Sequence, residues 1–146
     1  MDKKDILKQY FGHSEFRRGQ GEMIDHILAG QDCLGVMPTG AGKSICFQVP
    51  ALAMEGVTIV VSPLISLMKD QVEGLRQSGV SAAYINSSLS PREFYQVLDD
   101  VSLGLCKILY VTPERLMADG FMNTLRGLKI PLVAIDEAHC VSHWGQ

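Results

Sequence analysis

The sequence has no strong excess of charge of either sign. Thirteen lysines and arginines stand against sixteen aspartates and glutamates, a net charge of −3. A protein that holds nucleic acid by bulk electrostatics is ordinarily basic, so composition gives no hint of that partner. Long apolar runs are also missing. The longest, Val57 to Met68, is interrupted by Thr58, Ser62, Pro63 and Ser66 and is too short to cross a bilayer. No apolar run follows the opening Met-Asp-Lys-Lys-Asp, which reads against a secretory signal. Cysteine is sparse: Cys33, Cys46, Cys106 and Cys140 form no CxxC pair and no zinc-like spacing, so neither a disulfide framework nor a zinc site is expected within the chain. No repeat, low-complexity tract or linker is visible. A protein of a reducing, cytoplasmic compartment, with no membrane partner, is the expectation.

Against these absences, 146 residues with 47% hydrophobic and 20% charged content are enough for one packed domain. Short apolar, β-rich runs alternate with helical patterns. The runs are Cys33–Met37, Val57–Val61, Ala82–Ile85, Ile108–Val111 and Leu132–Ile135. They are nearly continuous rather than strictly alternating, which suits strands buried on both faces of a parallel sheet. Between them, Met23, Ile24, Ile27 and Leu28 make one apolar stripe. Leu64, Leu67, Met68, Val72 and Leu75 make another, closed by Gly79 as a C-terminal cap. Ser90-Pro91-Arg92-Glu93 reads as a capping box with proline at the first helical position, and Phe94, Val97, Leu98 and Val101 continue the apolar face. This alternation predicts an open, doubly wound α/β sheet, whose ligands sit beyond the C-terminal ends of the strands. The loops after Val36, Val61, Val111 and Ile135 are therefore the ones to examine.

The first of them is Met37-Pro38-Thr39-Gly40-Ala41-Gly42-Lys43-Ser44. Gly40 and Gly42 let the backbone curl so that successive N–H groups point inward as an anion nest, and the following helix adds its positive end. Lys43 is placed to neutralise β- and γ-phosphates and Ser44 to ligate Mg²⁺. The strict phosphate-loop pattern has glycine where this chain has Met37. The alternative is a glycine-rich turn joining a strand to a helix.

The last strand runs into Asp136-Glu137-Ala138-His139. An acid at the end of a buried strand is costly unless a cation or hydrogen bonds compensate. In phosphate-loop enzymes that acid holds Mg²⁺, and a neighbouring carboxylate can act as general base on the attacking water. Asp136 as metal ligand and Glu137 as base is the natural division of labour. Alternatively, both acids merely cap a helix.

Gly40-x-Gly42-Lys43-Ser44 followed by Asp136-Glu137-Ala138-His139 resembles the superfamily 2 helicases, with a DEAH-type second motif. The surrounding residues narrow the resemblance to the RecQ family of DNA helicases. Phe11 to Gln20 resembles that family's adenine-recognition motif, Ser62 to Val72 its motif Ia, Thr112 to Leu116 its motif Ib, and Cys140 to Gly145 the start of its aromatic-rich loop. The motifs occur in the family's order across nearly the whole chain.

The resemblance implies N-terminal helices with the adenine motif over residues 1–30, then part of a RecA-like phosphate-loop domain over residues 31–146. It also implies a chain truncated after motif II, without the strand of motif III or a second RecA-like domain. It implies ATP and Mg²⁺ as cofactors: Gln20 on the adenine edge, His13 and Arg17 flanking its face, and Met37 to Ser44 around the phosphates. Ser44 and Asp136 would hold the metal, and His139 would couple the ATP site to neighbouring motifs. Single-stranded and partly duplex DNA would be the partner, with Ser62, Lys69, Thr112 and Arg115 contacting phosphates and Trp144 stacking on a base. Alternatively, Lys69 and Arg115 are solvated surface charges, Trp144 a core residue and His139 structural. The parent would be a 3′-to-5′ helicase of repair and recombination, in the bacterial cytoplasm near the nucleoid. A fragment that unwinds nothing by itself, or a module that binds ATP or single-stranded DNA without turnover, is the companion expectation. A small-molecule kinase and an RNA helicase are rivals, which the acid pair and the Cys140–Trp144 segment respectively disfavour.

Overall fold

Every described strand is three or four residues long and lies parallel to its neighbours. The computed structural model describes residues 2–17, 19–29, 41–117 and 121–135. Within them, β1 (Thr58–Val61), β2 (Ala82–Ile85), β3 (Ile108–Val111) and β4 (Val133–Ile135) form one sheet in the order β2-β3-β1-β4. The strand expected over Cys33–Met37 lies outside the described residues.

Alternate residues of each strand face opposite ways, and both faces are covered. Ile59, Val61, Ala83, Ile85, Leu109 and Val111 pack against Val101 of α5 (Pro91–Ser102), Leu116 of α6 (Pro113–Leu116) and Phe121 and Leu125 of α7 (Phe121–Arg126). Val60, Ala82, Ile108 and Tyr110 pack on the other side against Phe47 and Ala51 of α3 (Ala41–Ala53) and Met68, Val72 and Leu75 of α4 (Ile65–Gln77). That is why these runs read as continuous apolar stretches, and it makes the sheet doubly wound as expected. A separate cluster of Ile6 and Leu7 from α1 (Lys3–Phe11), Ile24 from α2 (Gln20–Leu28) and Ile45 and Val49 docks the two N-terminal helices onto α3.

The punctuation signals act as read. Gly79 takes φ +89°, its N–H donates to the Arg76 carbonyl at 3.1 Å, and the Val80 N–H reaches back to Leu75 at 2.9 Å, a Schellman closure of α4. Ser90 and Glu93 form the reciprocal capping box: the Ser90 N–H donates to Glu93 Oε1 at 2.9 Å and the Glu93 N–H donates to Ser90 Oγ at 3.2 Å.

Two apolar stripes are narrower than read. Of the α2 stripe only Ile24 is fully buried and Leu28 is exposed, because so short a helix meets α3 through a single patch. Leu64 precedes α4 in an extended conformation and is exposed, so that helix begins its buried face at Met68. Helices α6 and α7, of four and six residues, give too few turns for periodicity to show them in the sequence.

Candidate functional site

The parallel registers Ile85↔Val111, Val61↔Val111 and Val61↔Ile135 bring the C-terminal ends of all four described strands to one edge. The residues that follow β1, β2 and β3 are Ser62, Asn86 and Thr112. All three are polar and buried, with exposures of 1%, 0% and 4%. Ser62 stays tied to the sheet through its N–H, which donates to the Val111 carbonyl at 3.0 Å; the Thr112 N–H donates to Ile85 at 3.4 Å. Each hydroxyl then turns the chain out of the sheet. Ser62 Oγ accepts the Leu64 N–H at 3.3 Å, and Thr112 Oγ1 accepts the Arg115 N–H at 3.4 Å as the N-cap of α6. A hydroxyl that accepts one bond still has a proton to donate, which an anionic oxygen at this edge could take.

Asn86 completes the row, and the sequence reading passed over it. Its Oδ1 accepts the Ser88 N–H at 2.8 Å and also the Ser88 hydroxyl, while its Nδ2 donates to Met68 Sδ at 3.8 Å. The available signal was positional: like Ser62 and Thr112, it is the first polar residue after an apolar run.

The two basic residues proposed for this edge differ. Lys69 is exposed on α4. Arg115 is half-buried, with its guanidinium 4.8 Å from the centre of the Phe94 ring, so it is a stacked rather than a freely solvated charge.

Around the adenine motif, Gln20 is buried at the first position of α2. Its Oε1 accepts the Arg17 N–H at 2.7 Å, and its own N–H donates to the Arg17 carbonyl at 3.0 Å. That reciprocal pair ties Gln20 to the backbone of Arg17 at the start of α2. His13 and Arg17 are exposed beside it in sequence. Lys3 braces the motif, ion-paired with Asp25 at 2.7 Å and lying 5.7 Å over the Phe16 ring.

Ala41, Gly42, Lys43 and Ser44 make up the first turn of α3, at its positive end. Met37, Pro38, Thr39 and Gly40 lie outside the described residues, as do Asp136, Glu137, His139 and Trp144, so the carboxylate pair and the aromatic stacking residue carry no geometry here. Among the described residues, no group of three histidine, cysteine, aspartate or glutamate side chains could hold a metal ion. Cys46 and Cys106 are buried thiols that form no disulfide, and burial pushes that of Cys106 up to about 11.

A parallel sheet covered on both faces by helices, with polar residues gathered at the C-terminal edge of its strands, defines a doubly wound α/β domain of helicase architecture. The fold is similar to that of a hypothetical ATP-dependent RNA helicase from Sulfolobus tokodaii, with a TM-score of 0.71 at 23% identity over 94% of this chain and 41% of that one. The DEAD/DEAH box helicase family model matches residues 17–146, and the chain belongs to that family. Its homologues include the ATP-dependent DNA helicases RecQ of Bacillus subtilis, 54% identical over 143 residues, of Pasteurella multocida, 51% over 141 residues, and of Synechocystis, 48% over 144 residues. Each match covers 97% of this chain but only 24%, 22% and 30% of the respective relative. Among the described residues, no helix is long and apolar enough to cross a membrane.

Proposed function

We propose that this chain is the ATP-binding part of an ATP-dependent, 3′-to-5′ DNA helicase that couples hydrolysis to movement along single-stranded DNA in repair and recombination, in the bacterial cytoplasm. The observation that carries this reading is the common strand edge. Ser62 and Thr112 follow two adjacent strands whose ends are in register, and the third neighbour, β4, leads in the chain to Asp136.

ATP is the group to be held, and Mg²⁺ supplies charge neutralisation on its phosphates. Lys43, in the first turn of α3, is the residue that would neutralise the β- and γ-phosphates. Ser44 and Asp136 are the ligands for the ion, and Glu137 accepts the proton of the attacking water. Gln20 reads the adenine edge, with Arg17 and His13 against its face. Ser62, Lys69, Thr112 and Arg115 hold DNA phosphates, which position a strand without reading its sequence. Trp144 stacks on an unpaired base, and His139 ties the two ligand sites together.

The test is equilibrium binding to this chain of a fluorescent ATP analogue with Mg²⁺ and, separately, of a labelled oligo-dT. Both should bind. Lys43→Ala should weaken the nucleotide at least about tenfold, the loss of one charge-assisted contact, and leave the oligonucleotide untouched. A chain that is folded by circular dichroism but binds neither ligand would overturn the reading.

A further inference from the structure

The face of the sheet that packs on α3 and α4 is largely apolar, with the buried hydroxyls of Thr58 and Tyr110 set into it. Tyr110, in the middle of β3, is 1% exposed, and its hydroxyl lies between two glutamines. Gln48 of α3, itself buried, donates from Nε2 to the hydroxyl at 3.1 Å, and the hydroxyl donates to Gln71 Oε1 of α4 at 2.6 Å. The ring is held by Phe47, edge to face at 6.5 Å between centres. Packing does not require this arrangement: phenylalanine would fill the same volume, and two aliphatic side chains would match the surrounding Val60, Met68, Val72 and Ile108. Burying the tyrosine hydroxyl and Gln48, with Gln71 half-buried beside them, is tolerable because these groups hydrogen-bond one another, and such a network favours one mutual alignment of the elements that carry it.

Those elements bear the proposed ligand sites. Gln48 lies one helical turn beyond Ser44 along α3. Gln71 lies two residues beyond Lys69 on α4, and Thr112 follows Tyr110 by two residues at the end of β3. The same helix α4 is gripped a second time where Asn86 donates to Met68. A shift of the first turn of α3 therefore has a direct, directional connection to α4 and to the strand edge, through a single hydroxyl.

We infer that Tyr110 is a positioning residue that couples the nucleotide site to the single-strand site through Gln48 and Gln71. The inference rests on the proposed function for the identity of the two ligands and adds the route between them. The hydroxyl touches neither ligand; it fixes how α4 sits when the first turn of α3 is occupied. Coupling of this kind is a ratio of affinities and is the same whichever ligand is added first.

The experiment measures the affinity of the chain for labelled oligo-dT with and without saturating AMP-PNP and Mg²⁺. In the wild type the nucleotide should change that affinity about fivefold or more, within the usual range of coupling between sites. Tyr110→Phe keeps the ring and removes the hydroxyl. It should bring the factor below about twofold, while each ligand measured alone binds within about twofold of wild type. Gln71→Met, at the half-buried end of the relay, should do the same and carries the test should Tyr110→Phe fail to fold. Gln71→Glu, whose carboxylate still accepts from the hydroxyl, should retain the coupling. A folded Tyr110→Phe or Gln71→Met chain with the wild-type factor overturns the inference, as does a wild type that binds both ligands without coupling; both results leave the proposed function standing. A folded wild type that binds neither ligand overturns the proposed function and this inference with it.

Discussion

The backbone N–H of Ser62 donates to the carbonyl of Val111 across 3.0 Å, so the residue that leaves β1 is still held by the residue that ends β3. Val111 is in turn followed by Thr112, whose own N–H is held by Ile85 at the end of β2. Motifs far apart in sequence are thereby fixed to one another by the sheet ladder rather than by their own side chains, and a rigid edge of this kind is what a site assembled from separate loops requires.

Thr112→Val keeps the shape of the side chain and removes the hydroxyl that caps α6. The loss of the cap should cost about 1 kcal/mol in urea unfolding. Affinity for oligo-dT should fall severalfold while AMP-PNP binding stays at the wild-type level. Unchanged oligo-dT affinity in a folded variant would remove Thr112 from the proposed DNA contacts.

Gly56 and Gly74 should respond to alanine in opposite directions. At Gly56, φ is +107° and an added Cβ would stand 2.4 Å from the carbonyl oxygen of Lys129, which already accepts the Val57 N–H. Gly56→Ala should destabilise by at least about 2 kcal/mol, through combined backbone strain and overlap. Gly74 lies inside α4 with nothing within 4 Å of an added Cβ, so Gly74→Ala should stabilise by about 1 kcal/mol. Thermal unfolding of the two variants side by side checks both signs.

Acid should loosen α5 from its first turn. The Ser90 backbone N–H, and next its hydroxyl, hold the Glu93 carboxyl below its ordinary value of 4.5. A depressed folded-state value means that the contribution is complete above 4.5 and is lost as pH falls through the lower, folded value. Glu93→Gln, which removes the titrating carboxyl, should flatten this part of the stability profile, as read by urea midpoints across the acid range.

Alkali should act through Cys106. Burial raises its thiol from 9.0 to about 11, so the folded protein keeps the proton over a range in which the unfolded chain has lost it. Stability should be complete below pH 9 and fall between pH 9 and 11, by at most roughly 1.4 kcal/mol per pH unit. Cys106→Ala should remove that slope, and the native thiol should resist alkylation until the protein unfolds.

Much of this architecture is local enough to be written in the chain. A β-rich run buried on both faces has few polar positions, so β2 and β3 appear in the sequence with the boundaries they have in the structure. Gly79 and the Ser90–Glu93 box mark helix ends because their hydrogen bonds span only a few residues. The family motifs were equally legible, since each places its chemistry within a short segment. Helices α6 and α7 were not, because elements of one or two turns leave no periodic trace. Asn86 was missed for a different reason: a lone asparagine after a strand looks like any turn residue until the register sets it beside Ser62 and Thr112. The relay of Gln48, Tyr110 and Gln71 is further still from view, as its members sit on three elements and are indistinguishable in sequence from ordinary helix and strand residues. Hydrophobic burial and short-range hydrogen bonding are encoded residue by residue, so the sequence by itself determined the layers, the ends of α4 and α5 and the family. Which polar groups meet across the sheet depends on strand order and register, which arise only when the chain closes on itself, and that the tertiary structure alone decided.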